Sequence, residues 1–381
     1  MSSDLVISNA RLVGRDTVLE PGSLHVRAGM IAAVDRGTPT AGALDFGGDY
    51  LLPGLVELHT DNLEKHFAPR PGVRWPGKLA VINHDAQIAA AGITTVMDAI
   101  AVGDMRDGAL RMTILRDMVA AIEAAQTAGM LRAEHLLHLR CEISFKDLLE
   151  LVEPMTGLSW LRLVSVMDHS PGQRQFANLD KYREYYQGKF GLSGAAMDRF
   201  MAEQVAAAEA HGPKNRRDLV ALCRSRGLPL ASHDDATIEH VAEAAADGMV
   251  VAEFPTTHAA AEYSRAHGMR VMMGGPNLVR GGSHSGNVSA RDLAEKRQLD
   301  IISSDYVPSS MIQSVFLLPR EVPPISLPQA VAMASVNPAE AVGLTDRGAL
   351  EVGRRADMIR VSLIDDVPVV RSVWRHGRRV M

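Results

Sequence analysis

The stretch "ELHTDNLEKH" (57–66) sets His59 and Asp61 two residues apart at the end of an apolar run, "DYLLPGLV". Alternate residues of a strand point the same way, so this imidazole and carboxylate converge on one point. Four further ligand-type residues lie at or near the ends of other apolar runs: Glu142, His169, His233 and Asp305. Each alone reads as a hydrogen-bonded structural group or a helix N-cap; six at the same end of successive runs form a set. Three imidazoles and three carboxylates, with no thiolate among them, suit Zn, Mn or Fe(II). Three carboxylates can hold two divalent ions about 3.5–4 Å apart, with one carboxylate and a hydroxide between them. Such a pair makes a nucleophile of water at neutral pH. A carboxylate bound weakly to one ion can accept the water's proton, and Asp305 is the candidate for that role.

The elements that must position these residues are eight apolar runs of strand length, at 53–59, 93–100, 135–143, 161–169, 228–234, 248–255, 269–276 and 299–305. Helical patterns such as "DMVAAIEAAQTAG" and "ATIEHVAEAAADG" separate most of them. Strands apolar throughout, alternating with helices, imply a parallel sheet covered on both faces. Eight units predict a closed (β/α)8 TIM barrel, in which sites form at the C-terminal strand ends. An open doubly wound sheet is the alternative. No GxGxxG or GxxxxGK[ST] follows any run, so a Rossmann or P-loop nucleotide site lacks support.

Both chain ends are β-rich and broken by glycine turns. Residues 1–53 plus 345–381 are therefore expected to assemble one small sheet from both termini, a domain beside a barrel of 54–344. One connection is long: "HSPGQRQFANLDKYREYYQGKFGLSG" (169–194). It reads either as a surface helical excursion or as a lid or oligomer contact.

Composition narrows the class. The chain is 46% hydrophobic and 22% charged, an ordinary globular profile, and 40 basic against 45 acidic residues give a net charge of −5. Nucleic-acid binding usually needs a concentrated basic face, which that balance does not suggest. Cys141 and Cys223 make no disulfide framework. The start, "MSSDLVISNARL", has no basic segment followed by an apolar one, and no run approaches the ~20 apolar residues of a membrane helix. The expectation is a cytoplasmic protein with no nucleic-acid or membrane partner, room for a small anionic substrate held by a few local Arg and Lys, and a homo-oligomer left open.

With "YLLPGLVELHTD", a later bridging acid, two later histidines and a final strand-end Asp, the chain resembles the amidohydrolase superfamily; "GALEVGRRADMIRV" is similar to that superfamily's segment returning to the sandwich. Longer stretches resemble the PhnM family of the carbon–phosphorus lyase pathway: "ELHTDNLEKHFAPRPGVRWP", "SHDDATIEHV", "EFPTT", "GGPNLVRGGSHSGNVSA" and "LDIISSDYVPSSMIQSVF". The resemblance covers nearly the whole chain. It implies a distorted barrel beside a small β-sandwich, and two divalent ions. It also implies hydrolysis of α-D-ribose 1-methylphosphonate 5-triphosphate to the 5-phosphate and pyrophosphate.

Two positions depart from the superfamily's pattern. Asp61 stands where an HxH pair has its second imidazole, which adds negative charge and favours a harder ion such as Mn. Glu142 stands for the carboxylated lysine of many relatives. The sixth run ends without a histidine, and His258, just beyond it, is the alternative to His169. Positive charge for a triphosphate is expected from two loops. One carries Lys65, Arg70 and Arg74; the other, "NLVRGGSHSGN" (277–287), carries Arg280 and His284 among glycines that let N–H groups approach phosphate. The remaining readings are a hydrolase of cyclic amides or N-acyl groups on the same scaffold, and a non-catalytic relative without metal.

Overall fold

Eight parallel strands form one sheet: β1 (Leu55–Thr60), β2 (Ile93–Val102), β3 (Glu134–Glu142), β4 (Leu161–Met167), β5 (Leu230–His233), β6 (Val251–Glu253), β7 (Arg270–Gly274) and β8 (Ile301–Ser303). This computed structural model describes residues 4–37, 41–104, 110–176, 178–283 and 286–381. Every residue of β1 and of β2 is buried, as strands covered on both faces must be. Each strand sends at least one side chain into a single interior cluster, which includes Leu58, Met97, Leu136, Leu163, Val251, Met272 and Ile301. Burial of each such side chain is worth roughly 1.5–3 kcal/mol. The cluster fills the barrel beneath the site, so the strand ends stand on a packed floor.

The sheet closes between β8 and β1 through a short seam. Thr60 and Asp305 form a parallel bridge, Asp305 N donates to the His59 carbonyl at 3.1 Å, and Asp61 N donates to the Asp305 carbonyl at 3.1 Å. The Glu57 carboxylate stitches the same seam, accepting from His59 N at 2.6 Å and from Ser304 N. Burial pushes that carboxyl up to about 8. Closure removes the open doubly wound alternative.

After β1 the chain enters α1 (Asn62–Phe67) and then α2 (Gly77–Ala90), which lie outside the barrel. The long connection after β4 folds as a 3-10 turn at Arg174–Phe176, then α3 (Leu179–Phe190) and α4 (Ala195–Ser225). Asn178 caps α3 by accepting from Asp180 N and Lys181 N, and Gly191, at φ 66°, ends it in the left-handed region. Phe176, Tyr182, Tyr186 and Phe200 pack this excursion into its own small core. A second, mostly antiparallel sheet uses both chain ends: Tyr50–Pro53 pairs with Met358–Ile364 on one side and with Leu5–Val13 on the other. Phe46 stacked on Trp374 lies in its core. No helix among the described residues is long and apolar enough to cross a membrane.

Candidate active site

A cavity of about 330 Å³ opens at the C-terminal ends of the barrel strands. His59, Asp61, Glu142, His169, His233 and Asp305 all line it, joined by Arg140 and Asp234. The six candidates from the sequence thus share one wall system. The long connection supplies another wall through Phe176, Tyr185, Tyr186 and Lys189.

One buried carboxylate organises two of the imidazoles. Glu253, at the end of β6, meets His59 Nδ1 at 3.2 Å through Oε1 and His233 Nδ1 at 2.9 Å through Oε2. Its ionised form is strongly favoured despite burial, because His59 and His138 face it and His233 donates to it. A carboxylate on Nδ1 fixes the ring and its tautomer and leaves Nε2 as the ligand atom. The rings of His59 and His233 stack with centroids 5.6 Å apart. Burial depresses the His59 pKa, which keeps the imidazole neutral, the form that binds metal.

His169 is held the same way by a different acid. Its Nδ1 donates to Glu142 Oε2 at 2.7 Å, while Ser144 Oγ donates to Glu142 Oε1 at 2.9 Å. Its Nε2 lies 3.6 Å from Asp234 Oδ2, and His233 Nε2 lies 3.4 Å from the same oxygen. Burial alone would lower the His169 pKa; hydrogen bonds to Asp234 and Glu142 outweigh it and raise it to about 9. Gly103, at φ 98°, lies against Glu142: a Cβ there would come within 2.9 Å of the Glu142 Cβ, so only glycine fits.

The other carboxylates crowd one another. Asp305 is pushed up to about 7, first by burial and then by Asp61 and Asp234. Asp61 Oδ1 is buried without a hydrogen-bond partner. An orphaned carboxylate oxygen beside a second, strained carboxyl is the environment that a cation relieves. His169, His233 and Asp234 bring one donor atom each to within 4.8 Å of one another, a spacing that suits one divalent ion. The donor set therefore fits bound metal, and it contains Asp234 in addition to the six. Asp234 and Asp305 leave their strands at φ 57° and 54°, a left-handed turn that Asp tolerates better than most residues.

A second buried set lies behind α1 and α2. Asp98 joins His84 Nε2 and His135 Nδ1, each at 2.8 Å, and His135 Nε2 faces Asp85 at 3.4 Å. Burial opposes the charge on His135, but Asp98 and Asp85 raise it to about 9. Asn62 Nδ2, next in sequence to Asp61, reaches His84 Nδ1 at 3.1 Å and Gln87 at 2.7 Å. These groups already satisfy one another and support the base of α1.

The cationic candidates divide. Arg280 lines the cavity at its exposed rim. Lys65 does not; its Nζ donates to the Tyr306 carbonyl at 2.7 Å and lies over the Tyr306 ring, close enough to lower the Asp305 pKa. Arg70 is exposed outside the cavity, and Arg74 turns away to Thr113 and Asp117. His284 lies outside the described residues. His258, the alternative ligand, begins the helix His258–Ala266 and does not line the cavity. Glu253, Asp234 and Arg140 are residues that strand-end reasoning passed over. Glu253 and Arg140 show in the sequence as lone charges inside apolar runs, and Asp234 as the immediate neighbour of a predicted ligand.

Comparison with known proteins agrees with this geometry. The Escherichia coli (strain K12) protein named alpha-D-ribose 1-methylphosphonate 5-triphosphate diphosphatase is 51% identical over 378 residues, spanning 99% of this chain and all of that one. Among solved structures, the N-acetyl-D-glucosamine-6-phosphate deacetylase of Mycobacterium smegmatis superposes over 99% of both chains with a TM-score of 0.64 at 18% identity. The 5-methylcytosine deaminase of Klebsiella pneumoniae superposes with a TM-score of 0.63 at 16% identity, over 99% of this chain and 98% of its own. At such identities these two speak for the fold alone. Residues 50–380 match the Amidohydrolase family. A closed barrel with a donor-rich mouth, a sheet made from both chain ends and that match lead to one assignment: the chain belongs to the amidohydrolase family.

Proposed function

We propose that this enzyme hydrolyses α-D-ribose 1-methylphosphonate 5-triphosphate to the 5-phosphate and pyrophosphate, using two divalent ions. The observation that carries the reading is the end-to-end identity with the E. coli diphosphatase. His59, Asp61, His169, His233, Asp234 and Asp305 would hold the ions, with Glu142 as the bridging acid or as the orienting partner of His169. Divalent ions bound there supply Lewis acidity and an activated water.

The chain's own residues do the rest. Glu253 keeps His59 and His233 in one tautomer. Asp305, held by the seam and shielded from bulk water, accepts the proton of the attacking water. Oxygen from that water bonds to the α-phosphorus, the bond from that phosphorus to the bridging oxygen breaks, and pyrophosphate leaves with the electron pair. Arg280 at the rim suits the distal phosphates as a planar fork. A neutral cyclic amide has no use for that charge. The test is incubation of metal-loaded protein with the ribosyl triphosphate and a panel of nucleoside triphosphates, cyclic amides and N-acyl sugars. Pyrophosphate released from the ribosyl compound is expected; amide opening without pyrophosphate would refute the reading.

A further inference from the structure

Arg140 stands on β3 between His138 and Glu142, alternate residues that share the face turned into the barrel. Its side chain lines the cavity. Its Nε is buried without a hydrogen-bond partner, and among the described residues the guanidinium makes neither a hydrogen bond nor an ion pair. The four buried arginines each face an acid, although Arg216 and Arg355 also keep donors without a hydrogen-bond partner. Arg174 pairs with Asp235, Arg216 with Asp247, Arg347 with Glu134 and Arg355 with Asp357. A guanidinium in a cavity costs free energy when its donors go unmet. The Arg140 charge is felt at both Asp234 and Asp305, which places it beside the donor set and deeper than Arg280.

We propose that Arg140 is a catalytic residue that grips the phosphoryl group under attack, donating from its fork to two non-bridging oxygens of the α-phosphate. This rests on the diphosphatase reading and names how that site selects phosphoryl over acyl substrates. A phosphoryl group offers two oxygens at the reacting centre, and the fork matches such a pair bidentately. A planar amide offers one. The missing acceptors of Arg140 are then the substrate's own, and their charge rises as the bond to pyrophosphate breaks, so the contact strengthens toward the transition state.

Arg140→Met and Arg140→Lys test this in the metal-loaded full-length protein. For Arg140→Met, kcat/KM for pyrophosphate release should fall about 10²–10³-fold with bound-ion content unchanged. Arg140→Lys, which keeps the charge and loses the fork, should be intermediate, and added guanidinium should restore part of the Met variant's rate. Kd for ribose 5-phosphate, whose phosphate is the product form of the α-phosphoryl group, read by calorimetry, should weaken about tenfold or more in Arg140→Met. A Met variant within about threefold of the parent in kcat/KM would overturn the proposal. So would a fall in ion content that matches the loss of rate, because Arg140 would then only balance the ligand charge. Should the Met variant fail to fold, a Lys variant with parental kcat/KM overturns the proposal equally. If the parent itself releases no pyrophosphate from the ribosyl triphosphate, the diphosphatase reading fails. The calorimetric arm then decides Arg140 alone: parental affinity for ribose 5-phosphate in Arg140→Met sinks it.

Discussion

Asp305 N donates to the His59 carbonyl at 3.1 Å, so a hydrogen bond of the seam that closes the barrel joins two candidate ligands from opposite ends of the sheet. Their spacing is set by backbone rather than by long side chains. A site built this way stands before metal arrives, and its side chains can be altered without opening the seam.

Asp305→Asn keeps that backbone contact. It should retain much of the bound metal by elemental analysis yet lower kcat about 10²–10⁴-fold, the range for losing a positioned base. His59→Asn should lose metal as well as turnover. Full activity in Asp305→Asn would remove Asp305 as the proton acceptor.

Glu253→Gln replaces the acceptor shared by His59 and His233. Gln has one carbonyl oxygen, so one ring loses its partner and its fixed tautomer. Metal affinity should weaken about 10–100-fold in chelator competition. Parental affinity would show that Glu253 serves only packing.

Metal uptake should release protons. Asp305 holds its proton up to about pH 7 and His169 up to about pH 9 in the metal-free protein. Ligation requires both to lose it. Release should approach two protons near pH 6 and about one near pH 8, with affinity falling as pH falls below 9 and more steeply below 7. Calorimetry in buffers of different ionisation enthalpy reads the count; pH-independent uptake would contradict it.

His135 gives a stability signature away from the cavity. Its folded pKa, raised to about 9 by Asp98 and Asp85, exceeds the unfolded value of about 6.5. The native state binds this proton more tightly, so the stabilisation is full below pH 6.5 and drains away as pH climbs through 9. His135→Gln should cost about 3–5 kcal/mol at pH 6.5, since it removes the cation shared by two buried carboxylates and leaves Asp98 with His84 and Asp85 with Arg132. It should also flatten the parent's decline between pH 6.5 and 9.5 in urea unfolding.

Arg280→Ala should raise KM for the triphosphate severalfold, whereas Arg70→Ala and Arg74→Ala should stay within about twofold of the parent. Equal effects from all three would mean that the loop after α1 reaches the substrate.

The barrel was legible because parallel strands buried on both faces leave apolar runs, and all eight runs became strands. The ligand-type residues were legible because they interrupt those runs at one end. Glu253 was not, because its importance lies in two histidines, 194 and 20 residues away, that converge on it only after closure. Arg70 and Arg74 look like phosphate cations in sequence, but the backbone after α1 turns them outward to solvent and to Asp117. Arg140 looks in sequence like a charge interrupting an apolar run. Only the barrel's inward face gives it a cavity to line.

The pairing of Tyr50–Pro53 with Met358–Ile364 has a consequence for biosynthesis. The two segments lie 358 − 53 = 305 residues apart, so a ribosome working at about 5–20 residues per second needs roughly 15–60 s between them. During that interval the strand entering the barrel has its own edge bare, and the nascent barrel must wait for its last partner before the second sheet is whole.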